Sequence, residues 1–116
     1  MPKQEKMRGQ VLQGTLDLIV LRTLATMGPQ HAYAIATRLQ QVSEDLVTLN
    51  QGTLYPALLR LEQQGWISAE WGVSDNNRRA RFYSLTRAGK KQLAAERASW
   101  DRMSDAIQRL LEAEAG

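Results

Sequence analysis

Residues 51–91, QGTLYPALLRLEQQGWISAEWGVSDNNRRARFYSLTRAGKK, restrict this chain to very few folds. Along them a helical apolar repeat gives way to a two-residue alternation and then returns. Leu54, Leu58 and Leu61 form one helical stripe, and Gly65 follows as a C-terminal stop. Pro56 is tolerated in a first helical turn but not in an interior, so regular helix is expected to begin near Gly52 or Thr53. That start puts Gln51, Thr53 and Tyr55 at the N-terminal end, with Arg60 about two turns along the face of Thr53. Ile67, Ala69 and Trp71 then alternate as the inward row of a strand, with Tyr83 and Leu85 as the inward row of its return. Gly72 to Asn77 is turn-rich, and Arg78 and Arg79 follow at the tip. Thr86 is a good N-cap for a further helix, although Gly89 stands where a capping box would carry Glu or Gln.

The flanking segments are helical in pattern. Residues 1–10 are polar and read as a flexible arm. A first helix is expected from Val11 or Thr15 to Met27, with Leu12, Leu16, Ile19, Val20, Leu24 and Met27 on one face. Leu18 and Leu21 lie off that stripe, so this helix calls for a second burial surface, for which a partner subunit is a candidate. Gly28-Pro29 ends it. A second helix covers about Ala32 to Val42, with Ala32, Ile35, Ala36 and Leu39 at core spacing, and Ser43 to Asn50 is a polar connection. The last helix runs from about Arg87 to Ala113. On it Leu93, Trp100 and Ile107 recur every seven residues, and Met103 and Leu110 complete an a/d-like seam beyond a domain that already has its core. The chain therefore divides into an arm (1–10), a domain (11–86) and a C-terminal helix (87–116). Three helices, a hairpin and a fourth helix make a mainly α fold with a small β-hairpin (α+β). This is the order of a winged helix-turn-helix followed by a C-terminal dimerisation helix.

Composition excludes several function classes. At 116 residues the chain suits one domain with a real core. It has no cysteine and one histidine, His31, which removes disulfide scaffolds and thiolate metal sites and leaves too few ligands for zinc. No Cys nucleophile, triad, phosphate-binding glycine loop or evident pair of carboxylates supports catalysis, and no cofactor or metal is implied. The polar start lacks a signal-like apolar region and no apolar run reaches the roughly 20 residues of a membrane span, so a soluble cytoplasmic protein is expected. Charge is distributed unevenly. Residues 72–91 hold six basic groups (Arg78, Arg79, Arg81, Arg87, Lys90, Lys91) against Asp75, a local +5 that exceeds the whole chain's net +3. A merely solvated surface mixes its signs, so this block is expected to meet an anionic partner.

A helix with a small polar start beside a basic hairpin suits duplex DNA, the helix in the major groove and the hairpin on neighbouring phosphates. Thr53 and Tyr55 are candidate contacts, and Gln51 is suited to adenine, though all three are also ordinary helix-start residues. Arg60 is either a base or phosphate contact or a charge that is solvated or has a local i,i+4 partner. Arg78, Arg79 and Arg81 are candidate phosphate or minor-groove contacts, and Arg81 shares strand parity with the inward Tyr83, which suggests a partly structural role. Leu18, Leu93, Trp100, Met103, Ile107 and Leu110 are the candidate dimer interface. Trp100 there is either a packing residue or the wall of a cavity for a small apolar or aromatic effector. Trp66 and Trp71 read as core or hairpin packing, and His31 as a surface or capping residue.

The chain also resembles the PadR family of bacterial transcriptional regulators. The resemblance rests on Gly14-Thr15-Leu16-Asp17, His31-Ala32-Tyr33-Ala34-Ile35, Gly52 to Leu58, Arg60-Leu61-Glu62, Gly65-Trp66-Ile67 and Arg78 to Thr86 with Gly89 beyond. It covers about residues 10 to 95 and implies a homodimeric winged helix-turn-helix repressor, dimerised by its C-terminal helix with help from the first. Ligand-responsive members are similar to repressors released from DNA by small molecules. The founding phenolic-acid-responsive members have a longer C-terminal domain than the single helix found here, so their ligand does not carry over. The expected function is a DNA-binding transcriptional regulator acting on operator DNA. The alternative is a winged-helix module that binds proteins and never DNA.

Overall fold

Leucine stripes at helical spacing and one glycine-ended hairpin produce six elements: α1 (Pro2–Met27), α2 (Ala32–Val42), α3 (Gln51–Gln63), β1 (Ile67–Val73), β2 (Arg79–Leu85) and α4 (Arg87–Glu112). The computed structural model describes the backbone of residues 2–44 and 51–113 and the side chains of residues 15–44 and 52–113. Most of the expected polar connection, and the side chains of Leu12 and Gln51, lie outside these described residues.

The element order expected from the sequence holds, and the boundaries of α2 and α4 fall where the apolar patterns put them. Two helix starts differ. α1 begins at Pro2, so the backbone of residues 2–10 of the expected arm is helical. A proline at a first helical position followed by Lys, Gln, Glu, Lys, Met and Arg is favourable for helix throughout. α3 begins at Gln51 and carries Pro56 inside it. Pro56 has no N–H to donate to the carbonyl four residues earlier, that of Gly52, and this lies at the end of the helix where solvent can reach it. Gly52 is exposed.

The core lies where α1, α2 and α3 converge. Val20, Leu21, Ile35, Leu54, Leu58 and Leu61 are fully buried, and Ile67 and Tyr83 close the core from the hairpin. Each such leucine is worth about 1.5–3 kcal/mol of burial. Leu21, off the expected stripe, is among these residues, while Met27, on the stripe, is exposed. α1 is wrapped on two sides by α2, α3 and α4, so its buried arc is wider than one stripe, and its last turn runs past the core's edge.

β1 and β2 pair antiparallel, with Ile67 opposite Leu85 and Val73 opposite Arg79. The tip closes with the Ser74 N–H donating to the Arg78 carbonyl (2.8 Å) and the Asn77 N–H to the Ser74 carbonyl (2.9 Å). Asn77 takes a left-handed φ of 59°, which asparagine tolerates better than most residues. A feature the alternation does not reveal is a backbone bridge from the α1–α2 linker. The Gln30 N–H donates to the Tyr83 carbonyl (3.0 Å), and the Tyr83 N–H donates to the Gln30 carbonyl (2.8 Å). The hairpin is thereby anchored to the helical layer as well as to itself.

Thr86 joins three elements. Its hydroxyl caps α4 by accepting from the Gly89 N–H (3.0 Å) and donates to the Gly65 carbonyl at the end of α3 (2.7 Å). Its N–H donates to the Trp66 carbonyl (3.0 Å). Gly65 ends α3 at a φ of +79°, a conformation that favours glycine. Beyond Leu93, which packs partly against the core, α4 is exposed over its entire second half and projects from the domain.

Candidate nucleic-acid interface

The core stripe of α3 decides which of its side chains face out. With Leu54, Ala57, Leu58 and Leu61 buried, Thr53 and Tyr55 are exposed, Tyr55 at 47%. Across from Tyr55 stands the hairpin, and on a third side one face of α2. Together they bound a groove of 960 Å³, lined by Tyr33, Thr37 and Arg38 of α2, by Tyr55, and by Trp71, Arg78, Arg79 and Arg81 of the hairpin. The groove brings together Tyr55 and the three arginines singled out by the sequence. Thr53 and Arg60 lie outside its lining, elsewhere on α3.

The three hairpin arginines are held differently. Arg78 and Arg79 are exposed and form no ion pair among the described residues. The Arg79 guanidinium lies over the Trp71 ring, 4.7 Å from its centroid. Arg81 donates to Glu62 of α3 (2.9 Å) and sits 5.9 Å from the Tyr83 ring, which realises the structural share its parity suggested. The free positive charge therefore concentrates at the tip, on Arg78 and Arg79.

Arg60 has a partner that neither sequence reading named. Its guanidinium pairs with Asp17 of α1, a contact between residues 43 positions apart. Asp17 is largely buried and Arg60 about one-third exposed. Burial raises the Asp17 pKa above its ordinary value of 3.8, and the Arg60 hydrogen bond and charge oppose that shift without cancelling it. Arg60 thus ties α3 to α1. Burial likewise raises the Tyr83 pKa above 10.0, with Arg81 opposing, so the hydroxyl stays protonated near neutrality.

Trp71 departs from its expected place. It shares the face of Ile67 and Ala69, as the alternation requires, yet it is 61% exposed. The hairpin outruns the helices beneath it, so the inward row leaves the core after Ala69. The sequence reading also passed over Tyr33, 69% exposed, together with Thr37 and Arg38. Helical spacing puts Tyr33 and Thr37 on the row of α2 opposite Ile35 and Leu39, with Arg38 beside it. His31 caps α2 by accepting from the Ala34 N–H (3.2 Å) and meets Phe82 edge to face.

A second concavity of 720 Å³ opens between α1, α2 and α4 and collects Leu18, Leu93 and Trp100 from the expected dimer set. Met103, Ile107 and Leu110 continue outward along α4, 59%, 49% and 75% exposed. Among the described residues no cluster of His, Cys, Asp and Glu could hold a metal ion, and no helix is long and apolar enough to cross a membrane.

Comparison with known proteins agrees with this geometry. The family model described as "Transcriptional regulator PadR-like family" matches residues 20–95. A transcriptional regulator from Clostridium thermocellum is 26% identical in sequence and superposes with a TM-score of 0.80, over 89% of this chain and 99% of that one. A PadR family transcriptional regulator from Eggerthella lenta is 29% identical with a TM-score of 0.76, over 98% of this chain and 99% of its own. An uncharacterized protein of Lysinibacillus sphaericus is 28% identical over 106 residues, 90% of this chain and 95% of that protein.

Proposed function

The chain belongs to the PadR-like family of transcriptional regulators, and from that premise we propose a homodimeric, sequence-specific repressor that a small-molecule effector releases from operator DNA. Members of this family are DNA-binding regulators and not enzymes. The observation that carries the specific reading is the pair of exposed arginines without carboxylate partners among the described residues, Arg78 and Arg79, across one groove from Tyr55. A polyanion laid along the groove meets α3 and the wing at once.

In this reading each subunit places the N-terminal half of α3 in a major groove, where Gln51, Thr53 and Tyr55 reach bases or phosphates, while Arg78 and Arg79 contact the adjacent backbone. Arg60 and Arg81 serve chiefly to hold α3 against α1 and the wing against α3. The exposed seam of Trp100, Met103, Ile107 and Leu110 packs against a second copy, helped by Leu18, and Leu93 bridges the seam to the domain core. Two reading heads joined in this way require a near-palindromic operator with half-sites one or more helical turns apart, roughly 34 Å per turn. An apolar or aromatic effector beside Trp100 acts by favouring a head spacing that no longer fits, which takes a differential affinity of about 1–3 kcal/mol. The protein works where the chromosome is, in the cytoplasm. Gel-shift titration with the promoter DNA upstream of its own gene tests the proposal. Saturable retardation at low salt, lost in R78A/R79A, is expected, and no retardation at low salt would overturn it.

A further inference from the structure

Trp71 is unexplained by the core. A tryptophan on a strand face is normally there for burial, yet 61% of this one is open to solvent, as is 66% of its same-face neighbour Val73. Its one ring contact is with Arg79. The register sets Val73 opposite Arg79 and Trp71 opposite Arg81, so Arg79 reaches Trp71 along the diagonal of the hairpin. Arg81, directly across, is drawn instead towards Glu62. Among the described residues, Arg79 is thus the one cation of the wing that lies over an aromatic ring and whose charge no carboxylate offsets.

We infer that Trp71 is a positioning residue for the DNA contact of Arg79, an inference that rests on the duplex-binding reading above. A free arginine carries about 2 kcal/mol of rotamer entropy, part of which is lost each time it binds a phosphate. Stacking on the indole removes much of that freedom beforehand. The guanidinium carbon lies over the ring, and a guanidinium stacked on an aromatic face keeps its N–H edges for bidentate contacts to phosphate. The pair lines the groove that also holds Tyr55, so a ligand in that groove meets Arg79 and α3 together. Arg78, one residue earlier and in the turn, has no such support and contributes charge without a set direction.

Equilibrium anisotropy titrations of a labelled duplex from the protein's own promoter region, at several salt concentrations, test this with wild type, R79A, W71A, W71F and W71A/R79A. Removing the arginine is expected to lower the slope of log affinity against log salt by about 0.9. W71A keeps every charge and is expected to weaken binding about two- to fivefold, the range of an exposed cation–π contact. W71F recovers most of that loss. The double variant binds like R79A, because a tryptophan that acts only through Arg79 has nothing left to position. If Trp71 merely stiffened the hairpin, its removal would weaken R79A further by the same factor. That multiplicative result, or W71A binding as tightly as wild type, overturns the inference and leaves the regulator reading standing. Failure of the wild type to bind any duplex overturns the regulator reading itself, and this inference with it.

Discussion

Replacing Gly89 with alanine sets two effects of opposite sign against each other. By helix propensity alone the change should stabilise the first turn of α4 by up to about 1 kcal/mol. The neighbourhood forbids it. A Cβ built on Gly89 collides with the Trp66 carbonyl oxygen and lies 2.7 Å from Leu85 Cδ1 and 2.9 Å from the Trp66 carbonyl carbon. The leucine methyl can rotate away. The carbonyl cannot, because it already accepts from the Thr86 N–H at 3.0 Å, and Thr86 in turn caps α4 and donates to Gly65. Relief requires α4 to lift from the hairpin base. Overpacking of this kind costs about 1–3 kcal/mol, and loss of the Thr86–Trp66 hydrogen bond costs about 1 kcal/mol more. Set against the propensity gain, the net expectation is a loss of about 1–3 kcal/mol. At about 4–8 °C per kcal/mol this lowers Tm by roughly 5–20 °C.

Thermal and urea unfolding followed by circular dichroism would measure that loss. G89S should behave like G89A, since the obstacle is the Cβ itself. DNA affinity should fall as well where the variant still folds, because α4 would no longer leave the domain at a fixed angle and two heads joined through it would lose their set spacing. A G89A protein as stable as wild type, or more so, would show that α4 does not pack against Trp66 in this way.

Three further expectations follow from named contacts. Because burial holds the Asp17 carboxyl above its ordinary value, between the two values the native state keeps a proton that the unfolded chain has released. The resulting stability is present below the ordinary carboxylate range and declines as pH rises through the raised value. Unfolding of wild type and D17N from pH 3 to 7 should therefore show the variant gaining relative to wild type as pH rises, and the opposite trend would mean that Arg60 outweighs burial. N77A should lose about 1–2 kcal/mol through the left-handed φ at the wing tip, while N77G should be neutral or slightly stabilised; equal urea midpoints for N77A and wild type would refute this. I107E places a charge in the middle of the exposed α4 seam and should halve the mass found by light scattering, and an unchanged mass would exclude that seam as the dimer contact.

What the sequence disclosed depends on the range of the physics involved. The Thr86 and His31 caps and the left-handed stop at Gly65 are decided within four residues of chain, and all three stand in the structure as their local patterns imply. Alternation along β1 correctly put Trp71 on the face of Ile67, but parity says which side a residue takes and not how far the helices extend beneath it. Burial of Trp71 was therefore beyond the reach of the pattern. The ties from Arg60 to Asp17 and from Arg81 to Glu62 span 43 and 19 residues, and only packing brings their partners together. Gly89 reads locally as an absent capping-box residue, whereas the carbonyl of Trp66, in the linker between α3 and β1, lies against it. These long-range cases share a consequence for the interface. Asp17, Arg60, Glu62, Gly65, Thr86 and Gly89, all within the passages that carry the PadR resemblance, are engaged in joining α1, α3, the hairpin and α4. Recognising the family therefore identifies the frame that holds these elements together, and under the proposed reading discrimination among operators falls to the outward residues of α3 and of the groove. Substituting Tyr33, Arg38 or Trp71 should accordingly change which DNA is bound, or how tightly, at little cost in stability, whereas substituting the joining residues should lower stability first.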